Sequence, residues 1–285
     1  MANSYGELAK RIPPFHSADR RDTRRQPGLL TISRDDLCGE RNVKRTKPIH
    51  RKPIGEDGPV RVTHTADGET KIEWKKIEYP AEKPAQEAEI ASAFVTIFNQ
   101  EHNTAWQVTR LAENNFDFEM QSGGEKRYLE LREIVIPGKK RGPPYAPGEQ
   151  VIEPAKFAKT INAAVNSKAL RYPKTRAQPL DLLIYVTHWR FRPNKAVLQL
   201  VAHELDEGAH PFSRVHFLSR HDGSSGQVVT LYPNKDLIKG LIPGQLAQKR
   251  YVNFDPGSGV PIRDGDEVGT RFNLSPATTK KFMGG

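Results

Sequence analysis

"FDFEMQSGGEKRYLELREIVIPG", residues 116–138, decides how the rest of the chain is read. Phe116, Phe118 and Met120 alternate with Asp117 and Glu119; past Gly123-Gly124, Leu129 and Leu131 alternate with Tyr128, Glu130 and Arg132. Period-two alternation around a Gly-Gly pair predicts a β-hairpin closed by a two-residue primed turn. In that register Ser122 faces Glu125, Phe118 faces Leu129 and Phe116 faces Leu131, which makes one apolar face. The other face sets Asp117 opposite Glu130 and Asn115 opposite Arg132. Like charges so placed, with Cβ atoms about 4.5–5.5 Å apart, are unfavourable. Arg132, diagonal from Asp117, can neutralise one of them. A divalent cation between the carboxylates is the other solution, because Mg²⁺ commonly takes one or two carboxylates and leaves its remaining positions to water and phosphate. A one-sided sheet with a wet charged face needs no function at all, and a longer loop would change the register.

Upstream, apolar groups recur from Glu87 at Ile90, Ala91, Phe94, Ile97 and Phe98, the spacing of one helical face. Glu87 shares that face; Glu89 projects elsewhere. Downstream, "GKKRGPPYAPGEQ" (138–150) reads as a loop carrying three adjacent cations, Lys139, Lys140 and Arg141. "EPAKFAKTINAAVNSKALRY" (153–172) reads as a helix with Phe157, Ile161, Ala164, Val165 and Lys168 on one stripe. "PLDLLIYVTHWRF" (179–191) is a continuous apolar run, a strand buried on both faces. A helix at 194–205 and strands at 212–219 and 226–233 follow. This order predicts an α/β fold, a mixed central sheet with helices on both sides.

Around this core, taken as residues 81–240, residues 1–57 read as a basic, largely extended or disordered arm and 58–80 as a hairpin turning at Asp67-Gly68. Residues 241–285 read as an irregular tail.

The helix from Glu87, "NNFDFEM", "YLELREI", the lysine-bearing helix and "LLIYVTHW" resemble the PD-(D/E)XK nuclease superfamily over residues 85–190. The resemblance implies a restriction-endonuclease-like αβββαβ core. It also implies that Asp117 and Glu130 hold Mg²⁺ or Mn²⁺ together with the Leu131 carbonyl, and that Glu87 orients the metal or its water. Arg132 stands where that family carries lysine. An arginine cannot serve as a base, so it supplies fixed positive charge to the transition state. Lys168, pointing inward from its helix, is then the candidate to supply the missing lysine; its stem packing along the core edge is the plainer alternative.

The chain has 285 residues, a formal net charge of +10 and 36% hydrophobic residues; its mean hydropathy is −0.66. Residues 1–52 carry thirteen Lys/Arg against six Asp/Glu, so a surplus of seven sits in the arm. Such a run suits a polyanion, and DNA or RNA is the expected partner, bound in part by Lys139, Lys140 and Arg141. No apolar run reaches membrane-spanning length, and no apolar leader stands at the N-terminus. Cys38 is the single cysteine, which excludes a disulfide framework and a cysteine zinc site and fits a cytoplasmic setting. His203 and His210 lie too far apart for a helical zinc pair, and phosphate-binding loops and the GxSxG serine motif are lacking. His188 and Trp189 close the buried strand, where open sheets bind ligands and where a core role serves equally. The expectation is a metal-dependent, nuclease-like hydrolase of phosphodiester bonds; the alternative is an inactive member of the same fold that binds nucleic acid or a partner protein.

Overall fold

The computed structural model describes residues 57–64, 70–111, 116–135, 149–172, 179–222, 224–264 and 267–283. In chain order the elements are β1 (Val60–His64), β2 (Thr70–Trp74), α1 (Lys83–His102), β3 (Gln107–Arg110), β4 (Phe118–Ser122), β5 (Glu125–Glu133), β6 (Gln150–Ile152) and α2 (Pro154–Ala169). They continue as β7 (Leu180–Tyr185), α3 (Lys195–Glu207), β8 (Arg214–Arg220), β9 (Gly226–Tyr232), α4 (Lys235–Ile238), α5 (Pro243–Gln248), β10 (Tyr251–Asn253), β11 (Val260–Asp264), β12 (Glu267–Arg271) and α6 (Pro276–Met283).

The Gly-Gly hairpin forms in the register its turn requires, with Ser122 paired to Glu125 and Phe118 to Leu129. Gly123 and Gly124 take φ of 53° and 88°, values that a primed turn demands and that a side chain would strain. This hairpin lies within a six-stranded sheet of order β3-β4-β5-β7-β8-β9. β3, β4 and β5 form an antiparallel meander. β5, β7 and β8 then run parallel, connected through α2 and α3, and β9 returns antiparallel. β7 is buried at every position, as a parallel strand covered on both sides must be.

Alternation in the strands sorts the core into two layers. Ile90, Phe94, Ile97 and Phe98 of α1 pack with Phe118, Met120, Leu129, Leu131, Leu183 and Tyr185. On the other side α2 and α3 bring Phe157, Ile161, Val165, Val197 and Val201 against Leu180, Leu182 and Ile184. Burying each such Phe, Leu, Ile or Val is worth roughly 1.5–3 kcal/mol, so both helical stripes are strongly fixed. Helix starts follow local chemistry: Pro84 and Pro154 stand in the first turns of α1 and α2. The Asn194 side chain caps α3 by accepting from the Val197 N–H.

The structure departs from the sequence reading in three places. Asp57 does not belong to an arm. It is fully buried, bonded to Arg192 at 2.7 Å, and its carbonyl accepts from the Ile77 N–H. In β1–β2 His64 pairs with Thr70; the turn expected at Asp67-Gly68 lies outside the described residues. The apolar run at 179–191 stops being a strand at Tyr185, and Trp189–Phe191 turn as a 3-10 helix in which the Arg190 N–H donates to His188 Nδ1. Residues 241–283 are not an irregular tail: β10 pairs with β6, and the Asn253 amide donates to the carbonyls of Trp189, Arg190 and Arg192. Short elements held by such distant polar contacts leave no periodic signature.

Candidate active site

The β4–β5 ladder ends before the expected Asp117–Glu130 pair. Its last pair is Phe118 with Leu129, and Asp117 lies outside the strand. Side chains replace the missing ladder bonds: the Leu131 N–H donates to Asp117 Oδ2 at 2.9 Å, and the Asp117 N–H approaches Glu130 Oε1 at 3.3 Å. This break turns Phe116 away from Leu131, the partner expected from strict alternation. Its ring stacks instead on Tyr128 at 4.1 Å and on Tyr172 at 5.8 Å, on the α2 side of the sheet.

Into the opening comes Lys168, from the last turn of α2. Its Nζ reaches Asp117 Oδ2 at 3.2 Å and is hydrogen-bonded to Glu130 Oε2. Two acids from neighbouring chain segments thus share one ammonium. Their surroundings differ: the Glu130 side chain is 2% exposed and that of Asp117 31%. Burial pushes the Glu130 carboxyl above its ordinary range; Lys168 and the Tyr172 hydroxyl pull it back, and Asp117 adds to the rise. Burial likewise pushes the Tyr172 phenol up, reinforced by its hydrogen bond to Glu130. From β7 only Leu180, Leu182 and Ile184 face this group.

The counter-ion is therefore Lys168 and not Arg132. Arg132 makes no ion pair among the described residues, and its Nε is buried without a partner. Glu87 is not gathered with the pair. It lies on α1, across the sheet, ion-paired to Lys83 at 3.3 Å and to Arg110 at 3.7 Å. Glu133 also points to that side, and its partner is the Thr187 hydroxyl at 2.5 Å. Lys139, Lys140, Arg141 and the basic arm lie outside the described residues.

Among the described residues no three His, Cys, Asp or Glu side chains form a metal-binding group. What the site offers is smaller: two carboxylates, with the side-chain hydrogen bonds of Asp117 made by Oδ2 and none by Oδ1 among the described residues. In a strand a residue turns its N–H and C=O to the same side, so the Leu131 carbonyl also faces the opening. Two hard carboxylates and a carbonyl fit a cation that keeps most of its water, as Mg²⁺ does. Tyr172 is the participant that sequence reading missed. Its only signal is the four-residue step from Lys168; it lies in the turn that follows the end of α2 at Ala169, where its N–H donates to the Ala169 carbonyl.

No protein-family model, no curated protein and no solved structure matches the chain.

Proposed function

We propose that the protein is a divalent-metal-dependent phosphodiesterase acting on nucleic acid, of the restriction-endonuclease-like kind, with Lys168 of α2 supplying the lysine in whose place β5 carries Arg132. The observation that carries this reading is the Lys168 ammonium on both Asp117 and Glu130, where β4 and β5 part. The order α1, three-strand meander, α2 and parallel strand β7 supports it.

Asp117, Glu130 and the Leu131 carbonyl would hold the cation. When bound, the metal would lower the pKa of a coordinated water and neutralise charge on the phosphodiester. Lys168 can then orient the attacking water and take or give a proton at Nζ, which arginine cannot do. Arg132, with its unpartnered Nε, supplies a fixed charge for a phosphate oxygen. Burial around Glu130 strengthens the interactions made at that carboxylate.

A second reading, an inactive nucleic-acid or partner-binding protein of the same architecture, draws on there being no third acid beside the pair among the described residues. Plasmid and single-stranded DNA, and RNA, incubated with Mg²⁺, with Mn²⁺ and with chelator separate the two. Metal-dependent cleavage, reduced about 10³-fold or more by Asp117→Ala with binding retained, is the expected result. Binding without cleavage under every condition favours the second reading. Deleting residues 1–52 should flatten the salt dependence of binding, because fewer phosphates are neutralised.

A further inference from the structure

Two carboxylates that meet at the end of a strand pair need a cation nearby, and this chain carries one on a tether. Lys168 is 9% exposed and Glu130 1%, so the ammonium has little water of its own and is held chiefly by the two acids. Its position is that of a bound cation: one charge contacts Asp117 Oδ2 and Glu130 Oε2 together. A divalent ion could not share those oxygens with an ammonium, since like charges within about 4–6 Å shift a binding equilibrium by one to three powers of ten. Tyr172 differs in being neutral. Its ring is fixed by the Phe116 stack and by Phe212 edge-on at 6.5 Å, and its hydroxyl bonds Glu130. It can stay when the ammonium leaves.

We propose that Lys168 is a built-in counter-ion which a divalent cation displaces toward the substrate side, while the Tyr172 hydroxyl keeps Glu130 aligned through the exchange. The proposal rests on the phosphodiesterase reading for the identity of the cation. It assigns Tyr172 as a positioning residue, acting through Glu130. It also gives Lys168 two opposed roles: the lysine weakens metal binding and serves the bond-breaking step. The unloaded protein is thereby held with part of its negative charge offset, and Lys168 is released when metal arrives.

The test is a Mn²⁺ titration of the full-length wild type, Lys168→Met and Tyr172→Phe by calorimetry and electron paramagnetic resonance. Lys168→Met should bind Mn²⁺ at least about tenfold more tightly while cleaving more slowly. Tyr172→Phe, which retains the ring stack, should bind about 10–100-fold more weakly, the scale of a lost outer hydrogen bond to a metal ligand. On the wild type itself, Mn²⁺ should raise the rate at which an amine reagent acylates Lys168, read by mass spectrometry; this arm needs no variant to fold. Unchanged or weaker Mn²⁺ binding by Lys168→Met, or a Lys168 acylation rate that ignores bound Mn²⁺, overturns the exchange and leaves the metal site standing. Absence of Mn²⁺ binding in both wild type and Lys168→Met overturns the exchange and the metal-dependent reading together.

Discussion

Strand β5 carries an ion pair on each face, and the two are balanced differently. Toward α1, Arg127 donates from Nε and Nη2 to the two oxygens of Asp181, each at 2.7 Å. Both residues are buried, and Glu125 takes a further guanidinium donor at 3.0 Å. One planar cation meets one planar anion on the adjacent strand through two hydrogen bonds, and the second acid, Glu125, is 54% exposed and keeps its own water. Toward α2, one ammonium serves two acids, and one of those is nearly a third exposed. The matched pair has no capacity left for a ligand. The unmatched one keeps surplus negative charge, an open oxygen and a route to solvent. Pairing alone does not mark a site; incomplete pairing beside a broken ladder does.

The largest effect that would break this contrast concerns the matched pair. Arg127→Ala leaves the Asp181 charge buried and unpaired and should cost about 3–5 kcal/mol in urea unfolding. Replacing both partners, Arg127→Met with Asp181→Leu, should return stability to within roughly 1–2 kcal/mol of wild type, because the desolvation of two charges is removed with their attraction. A single substitution costing less than 1 kcal/mol would show that the pair does not hold β5 to β7.

Next in size is an acid effect from the same face. His216 is buried between Phe94 and Phe98, with Thr230 Oγ1 at 3.1 Å from its Nδ1. Burial, with help from the charges of Arg214, Arg127 and His102, pushes its pKa down to about 3 from 6.5. A group depressed on folding stabilises above its unfolded value and loses that contribution as pH falls toward its folded value. Stability should therefore drop by up to about 1.4 kcal/mol per pH unit between pH 6 and 4. His216→Leu should remove that part of the slope whatever its effect at pH 7. An unchanged slope would place the acid sensitivity elsewhere.

Much of this contrast was legible in the residues. Gly123-Gly124 set the hairpin register, and the stripe Phe157, Ile161, Val165, Lys168 put the lysine on the inner face of α2. Both are local signals with a fixed period. The break at Asp117 was not legible, because Phe116 continues the alternation perfectly. It arises when a carboxylate takes the Leu131 N–H and the Phe116 ring gains a stack on Tyr128. Reading Arg132 or a divalent cation as the neutralising charge, with Lys168 only as the substitute lysine of the motif, followed from that missed break. The β6–β10 pair joins segments about a hundred residues apart, and pairing at that range has no local pattern to read.

The smallest effect sharpens the contrast most. Glu130→Gln removes one of the two acids and leaves Asp117 with Lys168, one charge against one. In the matched pair an equivalent change, Asp181→Asn, strands Arg127 and must destabilise. At the unmatched site the sign should reverse, to neutral or stabilising by roughly 1 kcal/mol at pH 7, because an ionised carboxylate held in a buried position is relieved. The pH dependence checks the cause. The Glu130 carboxyl is raised on folding, mainly by burial. A raised group contributes stability below its unfolded value, 4.5, and loses it as pH rises through the folded value. The advantage of Glu130→Gln should therefore be absent below pH 4.5 and open above it, seen as a growing gap between the two melting temperatures without metal. Added Mn²⁺ should reverse that gap, since it stabilises only the protein that keeps both acids. A variant less stable than wild type at pH 7 without metal would mean that Glu130 is balanced after all, and that the two faces of β5 are built alike.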